Sequence, residues 1–196
     1  DPGAADYCWD KSRRRHPPGA EHLPVVLVTW QDADDYCRWL AARKGEPYRL
    51  PTEAEWEVAA AWDPVTQAAR PYPWGPNYDD SRSNAGHGQP AEVGHFAPQG
   101  DSAFGLVDAV GNVWQWTSNG LWRYPYRRDG RERPNFAEKF RVVRGGSFAE
   151  ADPVQAALCA QRGWRERVGR FIDVGFRVAV SVPSPLARQT LPHRHP

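Results

Sequence analysis

Methionine is absent from the 196 residues, so Asp1 is not expected to be a translation start, and an upstream part of the polypeptide is expected to be missing. Cysteine is scarce. Cys8, Cys37 and Cys159 make no disulfide framework and stand at no metal-binding spacing. Cys37 falls in a helical pattern beside Tyr36 and Trp39, where a small buried hydrophobe is expected. An excess of one charge is also lacking: Lys+Arg 25 against Asp+Glu 24 leaves a formal net charge of +1. That balance gives no field to gather nucleic acid or an anionic membrane. The basic run Lys11-Ser12-Arg13-Arg14-Arg15 therefore reads as a solvated loop. No apolar run reaches the length of a membrane span, and no signal peptide is visible. There is no internal repeat. The six histidines cluster only at His193 and His195, in a proline-flanked tail. No Ser/His/Asp set, phosphate-cradling loop or paired-acid pocket can be placed. Asp34-Asp35 and Asp79-Asp80 are adjacent pairs, which do not converge in regular structure.

What is present in quantity is tryptophan, with Trp 10 beside Pro 19 and Gly 17. Such a chain builds its core from large aromatics carried on loops, and the mean hydropathy of −0.73 understates that burial because arginine dominates the index. The length fits one domain with a substantial core. Residues 1–23 read as irregular, 24–182 as the domain and 183–196 as a tail. Pro24–Val28 is expected to be a short buried strand. Thr29, with Asp32 three residues on, starts a helix running through Ala33, Tyr36, Cys37, Leu40 and Ala41 to a stop at Gly45. Thr52 and Glu55 mark a second start, with Trp56, Ala59 and Ala60 on the buried face and Asp63-Pro64 as the end. From Tyr72 to Gly111 the chain reads as turns. Gly111–Thr117, Arg141–Arg144 and Gly175–Val180 read as strands.

One stretch resists this reading. Between Arg144-Gly145-Gly146-Ser147-Phe148 and Val174-Gly175-Phe176-Arg177-Val178, residues 149–173 mix apolar and charged side chains with no period of 2 or 3.6. Apolar residues outside any repeating pattern are often surface residues with a binding role. Ala151, Asp152, Val154, Leu158, Gly163, Trp164, Arg165, Phe171, Ile172 and Asp173 are the candidate ligand-binding residues, with Trp164, Phe171 and Arg165 as anchors. Phe171 and Ile172 are expected to be exposed, so that their joint removal would abolish binding and leave the melting temperature nearly unchanged.

Pro24–Trp30, Ala33–Trp39, Arg49–Trp56, Tyr72–Gly75, Phe104–Leu106, Gly111–Thr117, Arg144–Phe148 and Gly175–Arg177 occur in one order, and together they resemble the formylglycine-generating enzyme (sulfatase-modifying factor) family over residues 24–181. The resemblance implies an α+β, C-type-lectin-like fold with two helices, small antiparallel sheets and extensive loops. Catalytic members of the family oxidise a substrate cysteine with copper held by two cysteines. At the matching positions this chain has Glu150 and Gln155, which cannot replace soft thiolate ligands. The resemblance also brings calcium sites, for which Asn84 and Asn112 are the candidates, although Gln115 stands where relatives often carry an acid.

Two further branches resemble the chain. In ergothioneine-type sulfoxide synthases a domain of this fold packs on an iron-binding helical bundle, which would have to lie upstream here. In the variable proteins of diversity-generating retroelements, frames like Arg144–Phe148 and Gly175–Arg177 bracket a diversified stretch. The favoured reading is the latter: a non-catalytic scaffold, with no cofactor, displaying residues 149–173 to a protein or other macromolecular ligand. The alternative is an accessory domain of a sulfoxide synthase or another family enzyme whose catalytic part is upstream.

Overall fold

The computed structural model describes residues 7, 8, 10, 12, 15–122 and 138–182. The expected tail, 183–196, lies outside the described residues, as do most of residues 1–14.

Both expected helices form where their caps place them. The first, α1 (Trp30–Lys44), begins at Thr29, whose side chain accepts from the Asp32 amide while Asp32 accepts from the Thr29 amide. It ends at Gly45 in the left-handed conformation. The second, α2 (Glu53–Ala61), repeats the reciprocal box with Thr52 and Glu55. Each box satisfies two amides that a bare helix end leaves unpaired, a contribution of about 1 kcal/mol per cap. A third helix, α3 (Pro153–Ala156), is a single turn capped by Asp152, and the sequence pattern gave no sign of it.

The strands, in chain order, are β1 (Tyr48–Arg49), β2 (Trp62–Asp63), β3 (Ala68–Ala69), β4 (Trp114–Gly120), β5 (Phe140–Arg144), β6 (Arg162–Glu166), β7 (Val174–Phe176) and β8 (Ala179–Val180). Four of them form one sheet in the order β6-β5-β4-β7, while β1 pairs with β8 and β2 with β3. The sheets were expected to be antiparallel, and one pairing departs from that: β7 runs parallel to β4, with Trp114 opposite Val174 and Trp116 opposite Phe176. Pro24–Val28 is not a strand. Leu27 has φ of 58°, its amide donates to the Phe171 carbonyl and its carbonyl accepts from Arg170, so the segment crosses the 149–173 stretch in irregular backbone.

β4 is buried on both faces at Trp114, Gln115, Trp116 and Thr117. On one side Trp114 and Trp116 pack with Ala33, Cys37, Leu50, Val143 and Val174. A second cluster joins Trp56 and Ala60 of α2 to Tyr72, Val110, Ala156 and Cys159. The turn Gly145-Gly146 links them. Gly146 has φ of 70°, and a Cβ there would stand 2.4 Å from the Ala156 carbonyl, so backbone passes backbone where only glycine fits.

Candidate functional site

The surface that residues 149–173 contribute is built on the two indoles of β4 and the edge strand β6. In β6, Gly163 sits opposite Val143, and the space for its Cβ is filled by Val143 and the Trp114 ring. That close approach lets Arg165, two residues on and on the same face of the strand, lie over Trp114, while Trp164 points to the opposite face. Trp164 is 50% exposed and meets Phe140 edge-to-face, with ring centroids 5.0 Å apart. The Arg165 guanidinium lies 5.8 Å from the Trp114 ring centre and 5.7 Å from that of Phe171. It also reaches to 3.6 Å from Asp173 Oδ2. The Trp114 indole N–H donates to Glu150 Oε1 at 2.7 Å. Ser147 Oγ donates to Asp173 Oδ2 at 3.2 Å and accepts from the Ala149 amide, so this hydroxyl shapes the turn. The result is a guanidinium over two aromatic rings with Asp173 beside it and Glu150 bonded to the indole beneath, an arrangement suited to recognising charged groups.

Of the ten expected residues, Arg165, Phe171 and Asp173 meet in this cluster, with Gly163 beside them, whereas Trp164 lies on the opposite face of β6 against Phe140. Phe171 and Ile172 are not the exposed pair that was expected. Phe171 packs against the cluster around Trp116, at 6.5 Å between ring centres, and Ile172 packs on Val26, Val113 and Phe148. The chain from Leu27 covers them, a crossing that no local pattern announces. Leu158 is partly buried against the Trp56 cluster. Ala151, Asp152 and Val154 are exposed on the turn of α3, where Asp152 Oδ1 accepts from the Gln155 amide.

The positions matching the family's copper ligands do not fit copper. Glu150 is held by the Trp114 indole and Gln155 is exposed on α3. The one nearby thiol, Cys159, is buried beside the Ala60 carbonyl, and burial pushes it up to about 12, far from the thiolate a soft metal takes. Among the described residues no group of three or more His, Cys, Asp or Glu is placed to hold a metal ion. The calcium candidates are also engaged within the chain. Asn84 Nδ2 donates to the Gln89 carbonyl, and Asn112 brackets Ala91, accepting from its amide and donating to its carbonyl.

Sequence reasoning missed two hubs. Glu53, at 1% exposed, accepts from Arg144 and Arg162, tying α2 to β5 and β6. Gln115 accepts from the Trp56 indole and from Arg177 Nε, while its amide donates to the Asp108 carbonyl. Burial lowers Arg177 to about 10, which leaves it charged at neutral pH, with Asp108 opposing the shift. Asp108 itself is raised by burial. The motifs Gly-Asn-Val-Trp-Gln and Gly-Phe-Arg announce these side chains, but their meeting depends on the parallel pairing of β4 and β7.

The fold and this face define an irregular α+β domain of the C-type-lectin-like class. The chain belongs to the family described as the sulfatase-modifying factor enzyme 1-like domain, whose model matches residues 3–182. It is 40% identical over 168 residues to a hercynine oxygenase of Mycobacterium tuberculosis, covering 80% of this chain and 36% of that protein. It therefore spans about a third of the length of that relative. Among solved structures it is similar to PvdO from Pseudomonas aeruginosa, with a TM-score of 0.65 at 27% identity, covering 87% of this chain and 65% of that one. It shares its fold with Treponema denticola variable protein 1, with a TM-score of 0.60 at 21% identity, covering 80% of this chain and 70% of that one. The expectation that the chain is not of an enzyme is corrected by the first likeness, since a relative of that identity over four-fifths of the chain is named as an oxygenase. Among the described residues no helix is long and apolar enough to cross a membrane.

Proposed function

We propose that this domain is one part of an oxygenase of the hercynine oxygenase type, and that it presents the Glu150–Arg165–Asp173 face to the substrate while the redox centre is supplied by the rest of the polypeptide. The observation that carries this reading is the 40% identity over 168 residues to an enzyme almost three times as long as the matched part. The chemistry of the face agrees with it. Two carboxylates and one guanidinium, set over the buried Trp114 indole, offer recognition and orientation. Binding and positioning are what such a face contributes to a reaction whose centre lies elsewhere.

The test is oxygen uptake by the full natural polypeptide with hercynine added. Hercynine-dependent uptake is expected, with at least about a tenfold fall in kcat/KM for Arg165→Glu, a loss of roughly 1.4 kcal/mol of transition-state stabilisation. A folded full-length protein that consumes no oxygen on addition of hercynine would sink the reading.

A second role for the same stretch is favoured by the exposure of Trp164, Val154 and Val168 at 50%, 43% and 70%. In this role Trp164 is the anchor for a macromolecular ligand, with the other two as separate contacts. Co-purification of a ligand that Trp164→Ala releases, with oxygen uptake unchanged, separates this role from the first.

A further inference from the structure

The loops between Asn84 and Gln115 meet the end of β7 around a cavity of about 220 Å³, whose walls include Asp108, Gly111, Val113, Gln115, Phe176 and Arg177. Oxygen atoms converge there in the manner of a cation cage. The Val107 carbonyl, the Asp108 carbonyl and Gln115 Oε1 all point at one centre, and that centre is a guanidinium. Arg177 donates through one terminal nitrogen to Asp108 O at 2.8 Å and Val107 O at 3.1 Å, and through Nε to Gln115 Oε1.

We propose that Arg177 is the resident cation of this loop cluster, so that the domain holds its 84–115 loops without calcium. A calcium ion takes six to eight oxygens at about 2.3–2.6 Å and draws most of its affinity from carboxylates. Here Gln115 brings a neutral amide, and both directions of its oxygen are used, one by Arg177 and the other by the Trp56 indole at 2.7 Å. Asp108 is the one acid in the cavity wall; its Oδ2 accepts from the Gly94 amide at 2.7 Å, and it faces the positive charge of Arg177. The guanidinium cannot be deprotonated under ordinary conditions and offers a rigid fork of donors. A dication entering the same cage would have to displace those hydrogen bonds against like charge at short range. The asparagine pair nearby needs no ion either, since Asn112 closes on both backbone groups of Ala91.

The experiment is thermal unfolding in millimolar calcium and in EDTA, which needs no activity and stands whether or not the oxygenase reading holds. The unaltered protein is expected to melt at one temperature in both. Arg177→Gln is expected to lower Tm by several degrees, with no recovery in calcium. Arg177→Gln combined with Gln115→Glu empties the cage of its cation and adds a carboxylate, and calcium is expected to raise its Tm by several degrees. If that double variant does not fold, Arg177→Lys serves instead: it keeps the charge and loses the fork, so its Tm should fall yet stay equal in calcium and EDTA. A fall in Tm of the unaltered protein on adding EDTA overturns the proposal. So does a double variant as indifferent to calcium as the parent, or an Arg177→Lys variant that calcium restores.

Discussion

At the scale of single residues, burial decides which side chains retain reactivity. Cys159 is enclosed by the Trp56 cluster and its thiol is pushed up to about 12, and Cys37 beneath α1 is pushed up to about 11, in both cases by loss of water around the charged form. Cys8 is exposed. A thiol reagent at mildly alkaline pH should therefore label one cysteine per folded chain and three after denaturation. Labelling of all three in the folded protein would contradict the packing described. The same scale explains why Arg144, fully enclosed against Trp56, is tolerated: it donates to Glu53, Glu57 and the Cys159 carbonyl, so its charge is never left alone. Its place in the Arg-Gly-Gly-Ser-Phe motif was legible in the sequence, but its partners were not. They lie 91 and 87 positions away, on a helix face that the local pattern marks only as apolar.

At the scale of elements, α2 carries a pH dependence at its first turn. Hydrogen bonding to Arg49, with further help from Thr52, holds the Glu55 carboxyl at about 2 against an ordinary value of 4.5. A depressed folded value means that the contribution is complete above pH 4.5 and disappears as pH falls toward 2. The pair is well exposed, so solvent screening limits the effect to less than about 1 kcal/mol. Glu55→Gln should lower stability above pH 4.5 by less than about 1 kcal/mol, with the difference from the parent vanishing as pH falls toward 2. Measured denaturation midpoints across that window decide it. The segment before β7 behaves differently from its expectation. Phe171 and Ile172 wedge between the Leu27 crossing and the sheet, so replacing both by alanine should cost about 3 kcal/mol of stability, seen as a lower midpoint in urea. An unchanged midpoint would restore them to the surface. Both capped helices and three of the strands could be read from sequence because caps and alternation are local signals. The edge strand β6 and the turn α3 could not. Their residues alternate in neither period, and they are shaped by Val143, Trp114 and Gly146 across the chain.

At the scale of the whole molecule, the main sheet is assembled from distant parts. β4 lies between β5 and β7, and β8 clips to β1 far back in the chain. A chain cut before Val174 loses the partner of Trp114, Gln115 and Trp116 on one side and exposes the cluster around Val143. Such a chain should show no cooperative thermal transition by circular dichroism, whereas a sharp transition would mean that the sheet is complete without β7. The fold class was readable because its motifs recur in a fixed order. The parallel closure was not, since no feature of Val174–Phe176 states the direction of the strand it will meet. That closure has a consequence for biosynthesis. Val174 is made sixty residues after Trp114, its partner in the sheet. The two indoles of β4 and the backbone edge beside them therefore stay open to water and to other chains until the last tenth of the domain has left the ribosome. A cell making this protein must shield that edge while the sixty residues between the two strands are made.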